Sequence, residues 1–157
     1  MLSRRLMLAA GLAAAAPLPA QPRRRVVALG SDVAETLFAI GAGAQLVACD
    51  DTANYPAAVN ALPRLGYRRS LAPEPLLAAR PQLVIAADGA GPDAVLRQVE
   101  AAGISILRLP AGHAPADVAT RIRLIGRAVD AAPAADRLAR DILARLAAPL
   151  PAGWAAP

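Results

Sequence analysis

Arg25-Val26-Val27-Ala28-Leu29-Gly30-Ser31-Asp32-Val33-Ala34-Glu35 is the stretch that decides the fold. Four apolar residues run without alternation and stop at a glycine. Such a run reads as a short strand covered on both faces, the pattern of a parallel sheet. A helical period takes over at once, from Asp32 to Ile40. Asp32 with Glu35 three residues on looks like a capping box, and Gly41 is a good helix terminator.

The same alternation recurs along the chain. Leu46 to Ala48 reads as a second strand and is followed by the polar loop Asp50-Asp51-Thr52-Ala53-Asn54-Tyr55-Pro56. A short helix is expected from Pro56 to Leu62. Pro73-Glu74-Pro75 opens another, with its prolines confined to the first turn. Leu83-Val84-Ile85-Ala86 reads as the third strand. Asp88-Gly89-Ala90-Gly91-Pro92 is a tight loop into a helix from Asp93 to Ala101, stopped by Gly103. Ile104 to Leu107 reads as the fourth strand. Two helices follow, Ala116 to Val129 with Val118, Ile122 and Ile125 on one face, and Ala134 to Leu146 with Leu138, Ile142 and Leu146 on one face. Strands alternating with helices predict an α/β fold, a parallel-sheet three-layer sandwich. Ligands of such folds bind outside the carboxyl ends of the strands. Those ends carry Gly30-Ser31, Asp50 to Tyr55, Asp88 to Gly91, and Pro110 to His113. The turn at Tyr67 is free to join that rim, but topology alone does not force it there.

The amino terminus reads as a cleavable export signal: basic Met1-Leu2-Ser3-Arg4-Arg5, an apolar run from Leu6 to Ala16, and Leu18-Pro19-Ala20 as the cleavage site. The run is too short to span a bilayer. Ser3-Arg4-Arg5-Leu6-Met7-Leu8 also has the look of a twin-arginine signal, so the Sec route and the Tat route both stay open. No cysteine follows the run, and no lipid anchor is expected. The chain has 17 arginines and no lysine. Without Arg4 and Arg5, 15 arginines face 12 acids, a net charge of +3. These charges are interspersed, apart from Arg23-Arg24-Arg25, and aromatic residues are scarce, which argues against nucleic acid as a partner. The single cysteine, Cys49, excludes an internal disulfide and is expected to be a small buried strand residue. The division expected is 1–20 signal peptide, 21–133 an α/β ligand-binding lobe, and 134–157 the start of a connecting helix with a short tail.

One loop concentrates the chemistry. Pro63-Arg64-Leu65-Gly66-Tyr67-Arg68-Arg69-Ser70-Leu71 sets a phenol beside two guanidinium groups. A phenolate is one of the side chains that hold haem iron, and adjacent positive charge favours its ionised form. Arg68 and Arg69 also suit carboxylates. Tyr55 stands before a proline on the same side of the sheet, lining the pocket or serving the loop. His113 is the only histidine; it reads as a surface residue or as a second axial ligand, and alone it cannot build a multi-histidine metal site. Glu74 in the first turn of a helix suits the helix dipole. No nucleophile, base and acid are spaced for catalysis, so no enzyme is expected.

These segments resemble the substrate-binding proteins of bacterial haem (hemin) ABC importers, within the helical-backbone class that also serves cobalamin and siderophores. The resemblance rests on Arg25 to Glu35, on Leu46 to Thr52 with Tyr55-Pro56, on Leu65-Gly66-Tyr67-Arg68-Arg69-Ser70-Leu71 with Glu74 and Arg80-Pro81-Gln82-Leu83-Val84, and on Ala86 to Pro92. The Arg-Pro-x-Leu-Val segment belongs to the whole class. The Gly-Tyr-x-Arg segment and the Gly-Ala-Gly-Pro loop point to the haem branch. The resemblance implies a Rossmann-like amino-terminal lobe of a periplasmic, monomeric protein, with haem as the transported ligand. It implies Tyr67 as the axial iron ligand, Arg69 as the arginine that follows that ligand, and Glu74 as the group that docks on the permease subunit. From the residues themselves, Arg69 and Arg68 are candidate propionate contacts or solvated surface groups, and Tyr55 is a candidate haem contact or a structural loop residue. Members of this family have two lobes joined by a long helix, and the chain covers the first lobe and the start of that helix. A cobalamin or siderophore-binding protein, or a truncated fragment without function, are the alternatives.

Overall fold

Four strands, β1 (Val26–Leu29), β2 (Leu46–Cys49), β3 (Leu83–Ala86) and β4 (Ser105–Arg108), form one parallel sheet in the order β2-β1-β3-β4. The computed structural model describes residues 23–148. The expected signal peptide and the tail from Pro149 onward lie outside the described residues.

Pleating divides the strand residues between two cores. Val26, Ala28, Leu83 and Ile85 pack with helices α1 (Ser31–Ala39), α4 (Pro115–Ala128) and α5 (Ala132–Ala147). Val27, Leu29, Val84 and Ala86 point the other way, into a core with helices α2 (Pro73–Ala78) and α3 (Asp93–Ala101). The result is the expected three-layer sandwich. All eight of these residues are buried, and each Val, Leu or Ile contributes about 1.5–3 kcal/mol of transfer free energy before chain entropy is counted. The expectation of strands covered on both faces holds for β1 and β3. It fails for β4, which lies one residue later than expected. This edge strand leaves Ser105 and Arg108 exposed because nothing pairs beyond it.

Helix α1 starts at Ser31, and no side-chain cap bond forms. The capping box expected from Asp32 and Glu35 is therefore absent, and Asp32 instead sits within the first turn. The far end is as expected: Gly41, at φ 78°, donates its N–H to Phe38 O, and Ala42 donates to Leu37 O at 2.8 Å. Those two bonds make a Schellman termination. The segment expected as a helix from Pro56 to Leu62 is a short 3-10 turn, Ala57–Ala61. Only Val59 is buried there, too little apolar surface to hold an α-helix.

The basic run has a structural use. Arg25 donates to Ala79 O and Arg80 O at the carboxyl end of α2, and Arg24 donates to Ala128 O at the end of α4. Side-chain cations commonly satisfy such last carbonyls.

Helices α4 and α5 form an antiparallel hairpin. A Cβ on Gly126 would lie 2.2 Å from the Ala135 Cβ, and Arg123 pairs with Asp136 at 3.1 Å. Ile122 and Ile125 are buried as expected, with Val118 half-buried. The buried positions of α5 are Ala135 and Ala139 rather than Leu138, Ile142 and Leu146. Leu138 and Ile142 flank the contact, and Leu146 is 58% exposed. Close approach of two helices selects the smallest side chains, whereas periodicity of large apolar residues marks only the general direction of the core.

Cys49 is a buried strand residue, as expected, and its burial raises the thiol's pKa. A protonated, enclosed thiol is a poor nucleophile. Cys49 in the native chain is expected to react with a thiol-directed disulfide reagent at least tenfold more slowly than in urea-unfolded chain, measured by absorbance at neutral pH. Equal rates would show that the β2 edge opens freely.

Candidate functional site

The chain leaves β1 for β2 on one side and later leaves β3 for β4 on the other. The carboxyl ends of β1 and β3 therefore flank a topological switch point, where crevices form in such sheets. Gly30 follows β1 there and Ala87 follows β3. A Cβ on Gly30 would lie 2.7 Å from the Ala87 Cβ, so the two loops are in contact.

Asp50 fixes the next loop. It is 0% exposed. Its carboxylate accepts the Gly30 N–H at 2.8 Å, the Thr52 N–H at 3.1 Å and the Thr52 hydroxyl at 2.7 Å. Arg64 adds a second clamp, donating to the carbonyls of Asp50 and Ala53 and to Asn60 Oδ1. Neither role was visible in sequence, where Asp50 was one of two loop acids and Arg64 one of three nearby arginines.

The Tyr67 turn belongs to the rim. Its entry pairs with the end of β2: Cys49 donates to Pro63 O and Leu65 donates to Cys49 O. Asp51 donates to Gly66 O at 3.0 Å, and Ser70 closes the turn onto Tyr67 O at 2.9 Å. On the other side Gly91 donates to Arg68 O at 2.8 Å, and Leu71 donates to Gly91 O at 3.1 Å. Arg68 Nη1 reaches Asp88 O. The turn thus bridges the loops that follow β2 and β3. Tyr67 itself is 51% exposed, and among the described residues its hydroxyl makes no hydrogen bond.

Beside the turn is a cavity of about 300 Å³ lined by Asp32, Arg68, Arg69, Asp88, His113 and Arg121. The Arg69 guanidinium stands next to Gly89, 3.6 Å from where a Cβ would be. His113 is exposed, in the loop after β4. Arg121 comes from the first half of α4 and donates to Gly112 O at 2.9 Å. Sequence reasoning singles out Arg68 and Arg69 but leaves open whether their turn joins this rim, and it does not point to Arg121 or Asp32. A weak signal existed: Arg121 precedes buried Ile122, three residues after Val118, near the amino end of a helix that begins at the rim.

Tyr55 is apart from this cavity. It is 69% exposed and borders a separate hollow of about 340 Å³ with Glu35, Phe38 and Pro56. Glu74 is exposed in the first turn of α2. Because α2 runs back to the start of β3, that turn is on the rim side of the domain. At the outer edge, Arg108 and Glu100 form a two-pronged pair at 2.6 and 3.1 Å. The Arg108 hydrogen bond holds the Glu100 carboxyl below its usual range.

The fold has known counterparts. The family described as "Periplasmic binding protein" matches residues 26–149. The vitamin B12-binding protein of Yersinia pestis (strain Pestoides F) is 35% identical over 89 residues, 57% of this chain and 32% of that protein. A periplasmic haem-binding protein from Pseudomonas aeruginosa superposes with a TM-score of 0.76 at 32% identity, covering 80% of this chain and 45% of that one. The periplasmic haem-binding protein HutB of Vibrio cholerae superposes with a TM-score of 0.73 at 36% identity, covering 78% and 48%. The chain thus spans about a third of the curated relative and under half of each solved structure.

Proposed function

The chain belongs to the periplasmic binding protein family, whose members bind a ligand and deliver it to an ABC permease, and from that membership we propose that its cargo is haem. The observation that carries this reading is the Tyr67 turn: it is tied by backbone bonds to the loops after β2 and β3, and among the described residues its half-exposed phenol has no hydrogen-bond partner, next in the chain to Arg68 and Arg69. A phenolate ligates ferric haem from one face, and guanidiniums pair with carboxylates. The likeness to two haem-binding structures at 32% and 36% identity supports the same ligand. In this reading Tyr67 is the axial iron ligand, Arg69 and Arg68 meet the propionates, and Tyr55 touches the haem edge. Exposed Glu74, on the rim side, docks on the permease. Residues 21–133 form the first ligand-binding lobe and α5 begins the helix that leads to a second. Export to the periplasm goes through the amino-terminal signal.

The test is a hemin titration of the chain followed by visible absorption, beside Tyr67→Ala. The parent is expected to give a high-spin ferric, phenolate-type spectrum, and the variant to lose it with at least a tenfold weaker Kd. Because Tyr67 is half-exposed, the variant is expected to fold as the parent does. An unchanged spectrum and affinity in the variant would remove Tyr67 as the ligand.

The similarity to a vitamin B12-binding protein supports a second reading, cobalamin as cargo. That ligand needs no phenolate. Cobalamin binding by a chain that ignores hemin, undiminished by Tyr67→Ala, would establish it.

A further inference from the structure

The peptide between Asp50 and Asp51 is gripped at both ends by one short stretch of chain. Its carbonyl, Asp50 O, accepts from Arg64 Nη1 at 3.0 Å. Its N–H, on Asp51, donates to Gly66 O at 3.0 Å. The bond is trans, and a trans peptide is planar with these two groups pointing in opposite directions. The Ala53 N–H also reaches Asp50 O, at a longer 3.3 Å. Arg64 and Gly66 therefore hold one rigid plate between them, and the plate fixes where the Gly66 carbonyl lies.

The fold aims Arg64 at this peptide. Arg64 bridges Cys49 at the β2 edge, and side chains along such an extended segment alternate between the two faces of the sheet. Leu65 goes into the core with α2 and α3, which sends the Arg64 side chain to the opposite face. There the same guanidinium donates to Ala53 O and to Asn60 Oδ1. No carboxylate is among its acceptors: the ion pairs of the described residues are Arg108–Glu100 and Arg123–Asp136. The planar fork is committed to carbonyl oxygens, which is a geometric task rather than a charge-pairing one.

Gly66 hands this geometry to Tyr67. Its φ of 89° lies in the region that favours glycine, and the chain turns there into Tyr67. Asp51 to Gly66 is the last backbone bond on the β2 side before Tyr67; on the β3 side Gly91 takes over, donating to Arg68 O at 2.8 Å. Arg64 itself does not line the cavity beside the turn. We infer that Arg64 is a positioning residue for Tyr67: through the Asp50–Asp51 peptide it sets where the chain enters the turn, and with that the direction in which the phenol meets iron. The inference rests on the haem reading and deepens it.

Amide hydrogen exchange of the full chain without hemin tests the grip, and hemin titration tests its use. In Arg64→Ala the Asp51 and Ser70 amides are expected to exchange about tenfold faster, while the amides of β1 and β3 keep the parent's rates. Hemin Kd is expected to rise about fivefold with a weakened phenolate-type spectrum. In a Tyr67→Ala background the same substitution is expected to change Kd by less than about twofold, because an effect that runs through Tyr67 disappears with it. Asn60→Ala removes the third acceptor but leaves the peptide gripped, and is expected to change neither reading by more than about twofold. Arg64→Lys keeps the charge without the fork; it is expected to show the pattern of Arg64→Ala at about threefold, and serves in its place if Arg64→Ala does not fold. Unchanged exchange at Asp51 and Ser70, or equal acceleration in β1 and β3, would overturn the inference. So would equal hemin losses with and without Tyr67, or an Asn60→Ala that matches Arg64→Ala. A parent chain that ignores hemin would remove the haem reading, and the exchange rates would still decide whether Arg64 holds the turn.

Discussion

Asp50→Ala is expected to destabilise the chain by about 3–5 kcal/mol, which is a large fraction of the stability of a domain this size. The carboxylate is fully buried and accepts from three donors on two loops. Hydrogen bonds to a charged group contribute about 1.5–3 kcal/mol each, less when they share one acceptor group. Truncation removes them together and strands the Gly30 and Thr52 N–H groups. Among the described residues no buried side-chain polar atom lacks a partner, so the wild-type arrangement has no slack to absorb the loss. Urea unfolding followed by far-UV circular dichroism measures the change. Thr52→Val, which removes one hydroxyl donor, is expected to cost about 1 kcal/mol in the same assay. A loss below about 1 kcal/mol for Asp50→Ala would mean that the latch is not what holds the ends of β1 and β2 in register.

Asp50 also shows where sequence stops being informative. The strands β1 and β3 were legible because their signal is local: four apolar residues, a glycine or polar stop, and a helical period after it. Burial on both faces of a parallel sheet produces that signal whatever lies elsewhere in the chain. The edge strand β4 was displaced by one residue because an edge exposes its ends, so Arg108 looks like loop in sequence and pairs as strand in three dimensions. The α5 face is legible only in part for a related reason: Leu138 and Ile142 pack against the core at its margin, whereas the fully buried positions are Ala135 and Ala139, which carry no periodic weight. The site was legible in part. Tyr67, Arg68 and Arg69 lie in one turn, so their proximity needs no fold. Arg121 reaches the same cavity from more than fifty residues away, and only the crossover connections bring it there. Asp32 looks like a cap in sequence because Glu35 follows three residues on; its place in the cavity depends on the loops after β3 and β4, which bring Ala87, Gly112 and His113 beside it.

Gly30→Ala is expected to cost about 3 kcal/mol and, unlike Asp50→Ala, to damage binding more than folding. Two penalties combine. Gly30 has φ 134°, a region that L-residues avoid at about 1–3 kcal/mol. Its added Cβ would also stand 2.7 Å from the Ala87 Cβ and 2.7 Å from Asp32 Oδ1, contacts that must be relieved by movement, and overpacking of this kind costs about 1–3 kcal/mol. Asp32 can turn away at little cost. Ala87 cannot, because its N–H donates to Leu29 O at 2.8 Å and Leu109 donates to the adjacent Ala86 O at 2.8 Å. The relief therefore passes to the loop from Asp88 to Gly91. That loop holds Arg68 through Asp88 O and carries the Tyr67 turn through Gly91. If haem is the cargo as proposed, hemin affinity in Gly30→Ala is expected to fall at least tenfold at temperatures where the chain is still fully folded. Ala87→Gly in the same background removes the steric contact and leaves the dihedral strain. The double variant is expected to recover most of the binding loss but only part of the stability loss. Full recovery of both would assign the whole cost to the contact. Recovery of neither would show that the loops after β1 and β3 do not transmit their spacing to the Tyr67 turn.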